Sequence, residues 1–430
     1  MTMTDQQALV RAEPRALAVA ERPVARMAWL DVLRGIAALL VALHHFRVLH
    51  LLPGGAFVNK HFDIGIYAVM LFFLVSGYIV PASLERKGDV RGFWIGRIFR
   101  IYPLLIVVIT AAVLVLPADH FAVAQPVMEA PVRSGIANAL LLNEMLNVPS
   151  ALGSMWTLSY EMVFYFLVTA LFVQNRHRLS APIALAFAAA ALLLGNTVAA
   201  QLITTGPGST QKFILVVAVV TVAAMACVLA GRTEVTRIGA LMLGGLGLLL
   251  VLANARAPFF ESMLILATMF AGTAIHRAQN GRIDRHVAAV CCAFVLAAGF
   301  LAGYLYNRGP NRSQTWTEHW TGFALPYVAA WLTFGLGMML RHRTFPRVLT
   351  WLGRISYSVY VVHIPAMFAV YWLLADVTLP GTGPGRFVPT LIFLVLTLGL
   401  SQLTYRYVEL PGQRLGKRLA SARRGAQFAP

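Results

Sequence analysis

The first long apolar stretch carries residues whose types and spacing suit chemistry inside a membrane. It runs Asp31-Val-Leu-Arg34-Gly-Ile-Ala-Ala-Leu-Leu-Val-Ala-Leu-His44-His45-Phe46. The segment reads as a membrane-spanning helix, where ionisable groups are costly and mark candidate sites. Arg34 and His45 stand eleven positions apart. On an α-helix they share a face to within about 20° and lie roughly 16 Å apart along the axis. Asp31 sits one turn before Arg34 on nearly the same side. One helix face thus offers a guanidinium near one membrane surface, suited to phosphate or carboxylate recognition. Deeper in, it offers a histidine, the side chain best poised to exchange protons near neutral pH.

Other spans add partners. Glu161 is a carboxylate inside an apolar run, so it must be protonated, paired or facing water. It is expected to orient a histidine or to bind Arg34. Arg97 and Arg100 begin a third span and read either as anion ligands or as ordinary interfacial anchors. The Tyr102-Pro103 step after them kinks that helix or frees backbone carbonyls. His363 lies near mid-depth of a late span. Ser76 and Gly77 read as small packing residues that let helices approach.

The elements that must position these groups are transmembrane helices. The 430 residues are 59% hydrophobic and only 12% charged, which excludes an ordinary soluble globule. Apolar runs long enough to span lie at about 30–51, 64–83, 99–117, 156–173, 181–203, 213–230, 238–253, 259–276, 287–306, 322–340, 355–375 and 388–405. The 238–253 run is short, so ten to twelve spans are expected. The net charge of +18 comes as short basic clusters between apolar runs, not as a nucleic-acid-binding patch. Alternate loops hold Arg86, Lys87 and Arg91; Arg176 and Arg178; Arg232 and Arg237; Arg277, Arg282 and Arg285; and Arg341, Arg343 and Arg347. The intervening loops hold mostly single basic residues. This positive-inside bias predicts an even number of spans with both termini cytoplasmic. The fold class is therefore all-α, a polytopic transmembrane bundle. Its parts are a cytoplasmic N-terminal tail (1–27), one membrane domain (28–410) and a basic cytoplasmic C-terminal tail (411–430) lying on anionic lipid. The 136–146 segment reads as an interfacial or re-entrant helix. Cys227, Cys291 and Cys292 show no metal-ligand spacing and read as packing residues; no metal site is expected.

Five blocks in order resemble the membrane acyltransferase-3 family. They are the opening span with ten residues between its arginine and histidine, Phe72-Phe73-Leu-Val-Ser76-Gly77-Tyr78, Arg97-Ile-Phe-Arg100-Ile-Tyr102-Pro103, Trp156-Thr-Leu-Ser-Tyr160-Glu161-Met-Val-Phe164-Tyr165, and Ile355-Ser-Tyr357-Ser-Val-Tyr360-Val-Val-His363. The resemblance implies O-acyl transfer, commonly of acetyl, from cytoplasmic acyl-CoA to a hydroxyl of a glycan, a macrolide or another secondary metabolite. It marks His45 and Glu161 as catalytic, Arg34, Arg97 and Arg100 as acyl-CoA-binding, and Asp31, Trp156, Tyr160 and His363 as supporting. The chemistry is compatible, since a sugar hydroxyl needs a base to attack a thioester. A direct ternary-complex transfer is favoured over acylation of His45. Acyl-CoA (acetyl-CoA) serves as co-substrate, with no bound cofactor. Other expected partners are the hydroxyl acceptor, membrane lipid and, as an open alternative, a second copy of the chain. The expected location is a bacterial inner membrane. Many relatives carry an acid where this chain has Met70, and often an aromatic residue at His44, so the acceptor end departs from the common pattern. The competing expectation is a transporter or flippase of a lipid-linked or small hydrophobic substrate. A prenyl or nucleotide-sugar transferase would want clustered acids for Mg²⁺, and none occur.

Overall fold

The computed structural model describes residues 27–116, 129–195, 197–308, 317, 319–374 and 383–426. The N-terminal tail, apart from Met27, lies outside the described residues. Those described form helices and connecting turns, with no strand among them. In chain order the helices are α1 (Ala28–His45), α2 (Gly55–His61), α3 (Ile64–Lys87), α4 (Val90–Val115), α5 (Pro131–Ala139), α6 (Trp156–Val173), α7 (Ser180–Leu194) and α8 (Pro207–Ala230). They continue with α9 (Thr233–Ala253), α10 (Phe259–Gln279), α11 (Arg285–Tyr306), α12 (Trp320–Met339), α13 (Arg347–Arg354), α14 (Ser356–Leu373), α15 (Phe387–Thr404) and α16 (Leu410–Ala426).

Among the described residues, eleven helical segments are long and apolar enough to cross a membrane. The chain is a multi-pass membrane protein. Exposed apolar side chains such as Leu114, Val219, Val290 and Leu332 coat the outside of the bundle, which suits a lipid solvent rather than water. Helix α10 forms the centre, with 89% of its spanning window buried against 28% for that of α4. Close approach to α3 is possible because Gly77 has no side chain. A Cβ there would stand 2.0 Å from the Met269 carbonyl oxygen. Gly77 is thus the small packing residue expected of it.

Helix ends follow local sequence. The Asp63 carboxylate caps α3 by accepting from the backbone N–H groups of Gly65 at 2.8 Å and Ile66 at 3.0 Å. Gly88, at φ 63°, ends the same helix in the left-handed conformation. Asp284 caps α11 in the same way as Asp63.

Several span boundaries differ from those read in the sequence. The first helix stops at His45 rather than running to residue 51, because Arg47 turns left-handed at φ 55° and a 3-10 turn follows. Helix α4 begins nine residues before position 99, at Val90, so Arg97 and Arg100 lie about two and three turns inside it rather than at its mouth. The 181–203 run yields only the 15-residue α7, whereas the doubtful 238–253 run lies in a full 21-residue helix. The 136–146 segment is α5 followed by a 3-10 turn at Asn143–Leu146. No break falls at residue 410. A π-turn at Tyr405–Glu409 joins α15 directly to α16, which packs on α4 through Gly412 and Gly416 against Phe99.

Contacts also sort the loops by end. Trp29 of α1 meets Tyr78, late in α3, with ring centroids 5.5 Å apart, while His44 lies against Gly65 at the start of α3. Arg91 donates to the Leu229 carbonyl at 3.0 Å, and Arg282 pairs with Glu85. The arginine-rich loops therefore share the end where α1 begins. Ala420 of α16 lies near Gly92 at that same end. Both described ends of the chain thus lie at one end of the bundle.

Candidate functional site

Five helices converge on one cavity of about 800 Å³, its open side included. Arg34 comes from α1, Ser76 from α3, Arg97 and Arg100 from α4, Glu161 and Tyr165 from α6, and Tyr357 and Tyr360 from α14. All three arginines singled out by the sequence, and the in-span glutamate, therefore face a single space.

Arg97 is held by two aromatic rings and two hydroxyl groups. Its guanidinium carbon lies 5.0 Å from the ring centroids of both Phe93 and Tyr165. It donates to Ser83 Oγ at 3.1 Å and Tyr165 Oη at 3.4 Å. The Tyr165 hydroxyl donates to Glu161 Oε1 at 2.6 Å, and Ser76 Oγ donates to the same oxygen at 3.3 Å. Ser76 is thus a cavity residue, not a packing residue. Glu161 has its hydrogen bonds to Tyr165 and Ser76 and none to a histidine, contrary to one expectation. None of the ion pairs between described residues includes Arg34. It shares the electrostatic field of Asp31, Glu161, Glu409 and Arg100. The expected binding of Arg34 by Glu161 is not among the ion pairs between described residues.

Backbone packing explains where Arg34 sits. Gly353 at the end of α13 presses on α1 so closely that a Cβ would stand 2.0 Å from the Asp31 carbonyl oxygen. Asp31 therefore lies in that helix contact, outside the cavity lining. Trp156 and Tyr160 also lie outside it. Tyr160 is fully buried, and its hydroxyl is satisfied at 2.8 Å by Ser262 Oγ of α10, because a buried hydroxyl needs a partner.

The histidines stand at the other end of α1. His45, the last residue of that helix, has Nδ1 2.9 Å from the Val41 carbonyl and 3.3 Å from Nε2 of His363. His363 is fully buried on α14. His44 points elsewhere, with Nδ1 3.5 Å from the Asp63 carboxylate. His44 and His45 line a second cavity of about 1280 Å³, open side included, with Arg47, His50, Asn59, Lys60 and Asp63. Between the two cavities stands Tyr360, which lines the first and lies 6.1 Å ring to ring from His363. Its hydroxyl is fixed by Thr157 and the Ser154 carbonyl. Met70 is buried and lines neither cavity.

Three residues of this region escaped the sequence reading. Tyr165 lies one turn after Glu161, and that i, i+4 spacing was the available signal. Tyr357, whose hydroxyl donates to the Ile101 carbonyl at 2.7 Å, lay inside a recognised block. Glu409 is buried in the π-turn and accepts from Ser358 Oγ at 2.7 Å and Gln413 at 3.0 Å. It sits beyond the apolar run that marked its helix, so periodicity gave no pointer. Such π-turns often mark functional positions.

The arrangement defines a class: a multi-pass helical membrane protein with an arginine-lined cavity near one end of its first span and a histidine-lined cavity at the other. The acyltransferase domain model of the acyltransferase-3 family matches residues 27–406, and the chain belongs to that family. A segment is 30% identical over 151 residues to the acyltransferase MdmB of Streptomyces mycarofaciens, covering 33% of this chain. The chain spans 38% of the length of that curated relative. No solved structure matches.

Proposed function

We propose that the protein is a membrane O-acyltransferase that moves an acyl group, in the simplest case acetyl, from cytoplasmic acyl-CoA to a hydroxyl of a glycan or other secondary metabolite. The observation that carries this reading is the convergence of Arg34, Arg97 and Arg100 on one cavity whose far wall, Tyr360, adjoins the His45–His363 pair. Three guanidiniums with a single carboxylate among them suit a polyanion such as the phosphates of CoA. The arginine-rich loops lie at the same end of the bundle, which supports a cytoplasmic entrance for the donor. Arg34 and His45 are eleven positions apart on α1, about 16 Å of helix, which the pantetheine arm would cross to bring the thioester to the histidines.

In this reading the acceptor enters the cavity lined by His44, His45, Asn59 and Asp63. His45 takes the hydroxyl proton as the oxygen attacks the thioester carbonyl. The C–S bond breaks as the C–O bond forms, and the departing thiolate receives the proton from His45. Glu161 serves as counter-charge to the arginines and fixes Tyr165, rather than touching the reacting atoms. The membrane would be a bacterial inner membrane.

Mass spectrometry of glycans and metabolites from cells with and without the chain tests this reading. One hydroxyl-bearing species should gain an acyl group only when the chain is present. No acyl difference, together with no consumption of radiolabelled acetyl-CoA by the purified protein, would overturn it. Movement of an unmodified substrate across vesicles containing the protein would then favour transport.

A further inference from the structure

We propose that His363 is a positioning residue that fixes His45 as its Nδ1–H tautomer, so that Nε2 of His45 is the proton acceptor in acyl transfer. This rests on the acyl-transfer reading above and goes beyond it by assigning the ring atoms.

The proton positions follow from the acceptors. His363 Nδ1 lies 3.1 Å from the Val359 carbonyl oxygen. A carbonyl only accepts, so Nδ1 carries the hydrogen and the neutral ring keeps a lone pair on Nε2. That Nε2 faces Nδ1 of His45 at 3.3 Å. His45 Nδ1 also stands 2.9 Å from the Val41 carbonyl oxygen. Two acceptors thus converge on one nitrogen, which is satisfied only if His45 Nδ1 bears the hydrogen. The opposite tautomer would set its lone pair against the Val41 carbonyl and would require a charged His363 inside a site with no exposure. The neutral pair has one consistent assignment, and it leaves Nε2 of His45 without a hydrogen.

The groups around the pair fit this assignment. His44 stands 5.4 Å away, ring to ring, and its carboxylate partner is Asp63. Tyr360 approaches His363 from its own helix but has its hydroxyl bonded to Thr157 and Ser154. No carboxylate bonds to either ring of the pair among the described residues. His363 therefore does the work that a carboxylate does for many catalytic histidines. It holds the tautomer and ring orientation and accepts the Nδ1 hydrogen when Nε2 becomes protonated. A neutral acceptor supplies this without a second buried charge. The balance is closed: the hydroxyl proton goes to Nε2, the new C–O bond replaces the C–S bond, and the same proton passes from Nε2 to the leaving thiolate.

Two substitutions separate positioning from packing. His363→Leu fills the space and removes the acceptor. His363→Gln brings a side-chain oxygen to about the place of Nε2. With labelled acetyl-CoA and protein in nanodiscs, His363→Leu should lower kcat about 100-fold, within the range of general-base effects, and leave the donor KM within about twofold. His363→Gln should recover kcat to within about tenfold of the starting protein. A wild-type kcat in His363→Leu, or a Gln variant no better than Leu, overturns the proposal while leaving acyl transfer standing. A wild-type protein that transfers no label overturns both. ¹⁵N spectra of histidine-labelled wild-type protein decide the matter independently of any variant. The signal lost in His45→Ala should show a protonated Nδ1 and a bare Nε2, and the reverse pattern contradicts the assignment.

Discussion

Arg97 offers the sharpest test of what the arginine cavity holds. Its guanidinium carbon lies 5.0 Å from each of two neighbouring aromatic ring centroids, and the group donates to Ser83 and Tyr165. That geometry fixes the fork while leaving it in the lining of the cavity. If donor phosphate binds there, Arg97→Ala deletes a charge-assisted hydrogen bond worth about 1.5–3 kcal/mol. At about 1.4 kcal/mol per tenfold, donor affinity should fall about 10–100-fold. Arg97→Lys keeps the charge but loses the planar stack and the fork. With each cation–π contact worth about 0.5–1 kcal/mol, the loss should be near 1 kcal/mol, or about fivefold. Calorimetric titration of the nanodisc protein with CoA measures both, with thermal unfolding as the control for the orphaned Ser83 and Tyr165 hydroxyls. The predicted order is wild type, Lys, then Ala, with the acceptor KM unmoved. An Ala variant that binds CoA like the wild type refutes the reasoning, and so does one that shifts only the acceptor KM.

Two more predictions concern the scaffold. Glu144 is fully buried in the 3-10 turn after α5, paired with Arg256 at 3.1 Å. Burial pushes its carboxyl above the ordinary value of 4.5, outweighing the opposing pull of Arg256. A raised folded value means the folded state binds the proton more tightly, so the contribution is fully present below about pH 4.5 and is lost as pH rises through the folded value. The unfolding temperature of the wild type relative to Glu144→Gln should therefore rise as pH is lowered from about 8 to 4; a relative fall contradicts this. At the α1–α13 contact, a Cβ on Gly353 would meet the Asp31 carbonyl oxygen at 2.0 Å. Gly353→Ala should cost about 1–3 kcal/mol by overpacking and raise the donor KM, because Arg34 lies one turn from Asp31. An unchanged unfolding temperature would show that the contact is not tight.

How much of this was legible in the sequence depends on the range of the interaction. Arg34 and Glu161 stand out because charge inside an apolar run is anomalous wherever it occurs, Arg97 and Arg100 through the basic start of the third span, and the fold brings all four to one cavity. The phase of Arg34 and His45 on α1 is a local property and survives folding. The direction of Tyr160 is not local. Its hydroxyl turns to Ser262, a residue 102 positions away, which no pattern in its own helix specifies. Glu409 reaches its place through a π-turn that keeps a helix running past its apolar stretch. Composition windows end where hydrophobicity ends, so this continuation was read as a tail. The length of α7 was misjudged for the converse reason, since the apolar composition continues past Leu194 where the helix stops.

The central claim is that this bundle transfers an acyl group with His45 as the base. Its most direct test is transfer of label from [¹⁴C]acetyl-CoA to the acceptor fraction by membranes containing equal amounts of wild-type or His45→Ala protein. Labelled acceptor is expected from the wild type, with a loss of about 100-fold or more in the variant. Full labelling by a normally inserted His45→Ala protein would contradict it.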